Sequence, residues 1–246
     1  MQNKAGINSQ LGIEMCEVSD TEEMYWLRES DDYQSKVKLG MMLSSQYRYK
    51  EAVLAFEQAA MIKADDASLY SKLAGANLTL FRFDRAKEAY DKAIELGISE
   101  KAVSYPYAIW YYLQADYKNA GDMLLKCVPC GGEMKIAVIY WEILASRKAG
   151  KESVLQKEYD DSMDVGHRAS YTLAVQVMLG KISISDALKK LDENMDDLSF
   201  VVASYGIAEH MGLENMKEDR QLLLNRLLER ESMWPCVSYL AAYKNV

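Results

Sequence analysis

The residues best placed to do chemistry are Cys127 and Cys130, two cysteines separated by Val128-Pro129. That spacing suits a dithiol–disulfide pair or one half of a tetrahedral zinc site. Zinc needs a second ligand pair, and His167 and His210 each stand alone in the sequence. Cys16 and Cys236 are remote, so four scattered cysteines do not form a disulfide framework, and a reducing compartment is the simpler expectation. The acidic doublets Asp31-Asp32, Asp65-Asp66, Asp160-Asp161 and Asp196-Asp197 could act as acid–base pairs. Each falls at a helix junction, where a carboxylate caps a helix N-terminus, and capping is the favoured reading, with Asp32 as the cap of the first repeat. No phosphate-cradling glycine loop, Gly-x-Ser-x-Gly turn or His-Glu-x-x-His helix occurs. The chain is expected to be no enzyme and to carry neither cofactor nor metal; the residual catalytic reading is a site around His167 and His210.

The elements that would position any site are helices. Half of the 246 residues are apolar and 27% are charged, with only 3 prolines and 13 glycines. Leu, Ala, Lys, Glu and Met dominate, and period-two runs of β-branched residues are scarce. A net charge of −8 opposes a broad phosphate-binding surface, so nucleic acid is not expected as a partner. The basic pair Lys189-Lys190 is followed by Asp192, Glu193, Asp196 and Asp197 and reads as a solvated helix end. No window approaches the ~18 apolar residues of a membrane span. The first fifteen residues lack a basic segment followed by an apolar run, so no membrane insertion and a cytoplasmic location are expected.

Compared with itself, the chain repeats at a step of 34 residues: Leu39, Gly40, Ala52, Phe56 and Ala59 recur as Leu73, Ala74, Ala86, Tyr90 and Ala93, then as Tyr107, Ala108, Ala120, Leu124 and Cys127. The connectors Tyr47-Arg48-Tyr49, Phe81-Arg82-Phe83 and Ala115-Asp116-Tyr117 keep the same step. Small residues at the eighth and twentieth positions of a unit let two antiparallel helices approach, and a large residue at the twenty-fourth fills the space between neighbouring pairs. Cys127 then takes the small position held by Ala59 and Ala93, which favours packing over redox chemistry.

On these residues the chain resembles the tetratricopeptide repeat (TPR) family, whose unit is a 34-residue helix-turn-helix. The match covers residues 33–132. The chain has Ala64 and Ile98 where the family often places a helix-ending proline, and Lys36, Tyr70 and Ser104 where it often places an early tryptophan. The resemblance implies an all-α, right-handed superhelical solenoid of about six antiparallel pairs plus a C-terminal capping helix. The expected organisation is a flexible segment over 1–21, a short capping helix over 22–32, three regular units over 33–132, degenerate pairs over 133–233 and a C-terminal cap over 234–246. Turns are expected near Ala149-Gly150-Lys151, Leu179-Gly180-Lys181 and Met211-Gly212-Leu213. A cap at Ser183 or Ser185 opens the fifth second helix, the sixth runs from about Asn215 to Glu231, and the last helix spans about Cys236 to Tyr243. Tyr25, Trp26 and Leu27 are expected to form an aromatic lid over the first pair, the alternative being Trp26 as an exposed contact.

The resemblance also implies that first helices line a concave ligand-binding surface. The contact set is then Gln34, Val37, Met41, Ser44 and Ser45; Ser68, Ser71, Gly75, Leu78 and Thr79; and Ala102, Tyr105, Ile109, Tyr112 and Leu113. Val37, Met41, Tyr105 and Ile109 stand where some members hold a peptide carboxylate with a polar clamp, which disfavours that chaperone-adaptor mode. A protein or peptide bound through tyrosine, methionine and aliphatic contacts is expected. The competing reading of these residues is packing against the next unit or a cap. The competing functions are a dedicated chaperone of a secreted substrate and a self-associating structural component, that is, a homo-oligomer.

Overall fold

The computed structural model describes Leu11 and residues 18–128, 130–193 and 195–244. Most of the segment 1–21 expected to be flexible lies outside the described residues. Among those described, the secondary structure is helical throughout: α1 (Glu22–Glu29), α2 (Tyr33–Ser45), α3 (Tyr49–Ile62), α4 (Ala67–Thr79), α5 (Phe83–Glu95), α6 (Glu100–Leu113), α7 (Tyr117–Lys126), α8 (Met134–Lys148), α9 (Ser170–Met178), α10 (Ile184–Asp192), α11 (Asp197–Leu213), α12 (Lys217–Leu228) and α13 (Val237–Lys244). Two compact units divide at Pro106 and Tyr107, inside α6.

In the first unit α2 packs on α3, α3 on α4 and α4 on α5. Every residue of the repeated signature is buried, from Leu39, Ala52 and Phe56 to Ala120, Leu124 and Cys127. Gly40 shows why the eighth position is small: a methyl added there would stand 2.6 Å from Phe56 Cδ1. Aspartates start the first helices. Asp32 accepts from Ser35 N at 3.0 Å, Asp66 from Ser68 N at 2.8 Å, and Asp196 begins α11 by accepting from Ser199 N at 3.0 Å. Asp160 differs, bonding Ser162 N at 2.7 Å in a turn instead of capping a helix.

First helices end alike. Tyr47, Phe81 and Ala115 adopt φ of 64°, 56° and 58°, and Gly150, Gly180 and Asn215 adopt 69°, 70° and 61°. After all six, the next amide bonds back five residues, as Arg48 N does to Leu43 O at 2.9 Å and Met216 N to Met211 O at 3.0 Å. This is the left-handed cap that satisfies orphan carbonyls at a helix end. The caps therefore mark six first helices: α2, α4, α6, α8, α9 and α11. An L side chain in this conformation costs about 1 kcal/mol. Ala115→Gly is accordingly expected to raise stability by about 0.5–1 kcal/mol, as a higher urea midpoint with an unchanged slope; a lower midpoint would show that the alanine methyl packs usefully.

Only five of the six first helices have an α-helical partner. The fourth second helix is replaced by two 3₁₀ turns, Leu155–Glu158 and Gly166–Arg168. Short polar side chains there bond their own backbone: Asp160 to Ser162 N, and Asp164 to Gly166 N at 3.1 Å. Such local bonds compete with the helical ladder. Two other boundaries also differ from expectation. The turn expected at Met211-Gly212-Leu213 falls after α11 at Glu214-Asn215, and the sixth second helix spans Lys217–Leu228.

Helix α1 covers α2 with Met24 and Leu27, whereas Tyr25 and Trp26 are 59% and 71% exposed. The expected aromatic lid is thus corrected: a three-residue step puts Met24 and Leu27 on one face and turns the two aromatics outward. Asp20 fastens this end by pairing with both Arg28 and Arg48, and Glu51 accepts from Arg28 and Arg48 at 2.7 Å each. Arg28, partnered with Arg48 and opposed by burial, holds the Asp20 carboxyl below the usual aspartate range.

The second unit is built around α8 and α11, which are buried on all sides. Eleven successive residues, Ile136 to Ser146, and ten, Phe200 to Glu209, are buried. A helix apolar all round belongs in a core. Gly206 allows close approach, since a methyl there would meet Tyr140 Cε2 at 2.6 Å and Ala174 Cβ at 2.7 Å.

Candidate functional site

The first unit contains an open groove of about 450 Å³ between the first helices of two successive pairs. Met41 and Ser44 of α2 form one wall, and Lys72, Gly75, Ala76 and Thr79 of α4 the other, with Tyr49 and Phe56 of α3 also lining it. Met41 is 51% exposed. At Gly75 an added methyl would meet nothing within 4 Å, so the groove opens where a larger residue would fill it. The hydroxyls are already spoken for: Ser44 Oγ donates to Gly40 O at 2.8 Å and Thr79 Oγ1 to Gly75 O at 3.1 Å. What these residues offer a ligand is mainly carbon surface. Lys72 adds one cation, its Nζ donating to Ser68 Oγ at 2.7 Å. Burial pushes the Tyr49 hydroxyl up to about 12, so it stays a protonated donor at neutral pH.

The expected contact residues divide sharply. Met41 and Ser44 line this groove, Gln34 is exposed, and Val37, Ser71 and Tyr105 are partly exposed without lining it. Leu78, Ile109 and Tyr112 are buried and are core, which corrects their assignment as ligand contacts. For Tyr112 the reason lies within the second unit. Tyr112 of α6 meets Trp141 of α8 edge to face at 5.0 Å, and its hydroxyl lies 3.0 Å from that of Tyr205 on α11. Tyr140 joins Trp141 and Tyr171, with its hydroxyl donating to Val202 O at 2.9 Å. Aromatic packing therefore fills the face that an open array would present.

Helix α13 completes this closure. Five successive residues, Ser238 to Ala242, are buried, so the helix is enclosed, not laid on a surface. It packs on α11 and α12, Tyr239 Oη donates to Leu228 O at 2.9 Å, and Lys244 Nζ donates to Leu113 O at the end of α6. The chain's own last helix is thus part of the core of this unit.

The chemistry-bearing residues do not converge. Cys127 is buried and Cys130 half-buried. His167, on the surface, lies 2.7 Å from Glu133, whereas half-buried His210 accepts from Arg147 Nη1 at 3.0 Å. Burial, reinforced by Arg147, pushes His210 below its usual value, so it is neutral at pH 7. No cluster of His, Cys, Asp and Glu among the described residues could hold a metal ion. Cys16 lies outside the described residues. Two buried carboxylates, Glu142 and Glu209, went unnoticed in the sequence; their signal is a lone acid inside an otherwise apolar helix.

No family model matches the chain, and no curated protein matches it. Among solved structures it is similar to one described as the crystal structure of YrrB, a TPR protein with an unusual peptide-binding site, at 13% identity and a TM-score of 0.48, over 87% of this chain and 96% of that one. Over residues 33–132 the 34-residue register of buried positions and left-handed caps makes the helix pairs tetratricopeptide-like.

Proposed function

We propose that the chain is a peptide-binding scaffold, and that its ligand seats an apolar side chain in the groove between α2 and α4. The observation that supports this reading is the empty space over Gly75 beside half-exposed Met41, in a unit whose neighbouring signature positions are all filled. Fully burying one aliphatic or aromatic side chain there contributes about 1.5–3 kcal/mol. Lys72 at the rim adds a preference for an acidic residue near that anchor.

Gly75→Leu separates binding from folding, because the added side chain enters open space and the helix gains propensity of about 1 kcal/mol. The variant is expected to melt no lower than the parent chain and to lose the peptides that the parent selects from a displayed random-peptide library. Met41→Glu should weaken the same peptides about tenfold with helicity unchanged. Selected peptides that bind all three proteins equally would place binding away from this groove and sink the proposal.

A further inference from the structure

A second cavity, of about 430 Å³, lies in the other unit and has a different character. It is lined by Lys148 at the end of α8, Glu209, Gly212 and Leu213 of α11, and Lys217, Arg220 and Gln221 of α12. Glu209 is 5% exposed and uses both oxygens: Oε1 accepts from Arg220 Nη2 at 2.9 Å, and Oε2 pairs with Lys148 Nζ. One buried carboxylate thus draws two cations to the same wall. Gly212 makes room for this, since a methyl there would stand 3.0 Å from Arg220 Cδ and 3.2 Å from its Nε. Lys148 is further fixed with its ammonium 5.2 Å from the centre of the Tyr117 ring. Lys217 is exposed and has no ion pair among the described residues.

Three cations and one carboxylate line this cavity, in a chain whose net charge is −8, and the nearby acids Glu214, Glu218 and Asp219 are not among its lining residues. A wall carrying more cations than acids attracts anions, and a dianion engages several of its donors in one molecule. The guanidinium edge and two ammonium groups provide several donors, to which the Gln221 amide adds a neutral one. We propose that this cavity binds a small doubly charged oxyanion, a hydrogen phosphate or a dicarboxylate, held by Arg220, Lys148 and Lys217. It is separate from the apolar groove of the first unit and does not depend on that groove's function.

The test is titration of the purified chain by calorimetry with inorganic phosphate and, separately, with succinate, at constant ionic strength made up with sodium chloride. Saturable binding of at least one is expected, and the tighter of the two identifies the source of the charge. Lys217→Ala removes a side chain with no partner to disturb and should weaken binding about tenfold with the melting temperature unchanged. Arg220→Gln should weaken it at least as much. Absence of saturable binding by both anions, or equal affinity in the parent and Lys217→Ala chains, would overturn the proposal.

Discussion

Glu142→Ala is expected to destabilise the second unit by about 3–5 kcal/mol, because it strands several buried neutral donors at about 1–3 kcal/mol each. Glu142 is 1% exposed and sits in the middle of α8. It accepts from Ser146 Oγ at 2.8 Å, Val154 N at 3.1 Å and Leu155 N at 3.2 Å, and also from Ser153 Oγ. These donors belong to the stretch where the fourth pair lacks its second helix. A regular helix would satisfy its own backbone; a 3₁₀ turn on a core does not, and one carboxylate serves as its cap. Removing it leaves donors of residues 153–155 without partners against apolar surface. Val154 and Leu155 amides should lose hydrogen-exchange protection first, with a lower urea midpoint. Glu142→Gln retains one acceptor oxygen but turns an NH₂ group toward donors, so it should fall between the parent and Glu142→Ala. If Glu142→Ala melts with the parent chain, the loop is held by Leu155 and Tyr159 packing alone.

The same residue shows what could and could not be read in advance. The packing of the first three pairs was legible because it repeats: a small residue at the eighth position and a large one at the twenty-fourth are neighbours through local helix geometry, as Gly40 and Phe56 are. Capping aspartates were legible for the same reason, since Asp32 acts three residues along its own chain. Left-handed caps were hidden at Tyr47, Phe81 and Ala115, where no glycine announces them, and only their common step betrays them. Glu142 looks like a solvent-facing residue until the stretch from Ile136 to Ser146 is seen to be apolar on every face.

The candidate site was legible only where the first helices remain open. Met41 and Ser44 line a groove, whereas Ile109 and Tyr112 occupy comparable positions and are buried. Tyr112 is buried against Tyr205, 93 residues beyond it, and spacing within one repeat carries no information about so distant a partner. The cation cavity was hidden likewise, because Lys148, Glu209 and Arg220 come from three helices and each reads alone as a surface charge.

Truncating the chain before Val237 is expected to have the largest effect of all, and it tests whether α13 is core or a removable strap. Tyr239 and Leu240 are each 2% exposed, and Ala241 and Ala242 are fully enclosed beside them. At about 1.5–3 kcal/mol for each large side chain, with a smaller share for the alanines, loss of the helix should cost about 5 kcal/mol. The carbonyls of Leu113 and Leu228 would also lose the donors Lys244 and Tyr239. That sum approaches the whole stability of many domains. The truncated chain should therefore bind a hydrophobic dye and lose amide protection along α8 and α11, the two helices whose burial α13 helps to complete. A truncated chain that keeps protection on both helices would show that the aromatic core around Tyr112, Trp141 and Tyr205 closes unaided. In that case α13 would only cover a face of α11 and α12 whose ligand capacity its removal uncovers, and the truncated chain, unlike the parent, would acquire a second peptide site that Gly75→Leu does not abolish.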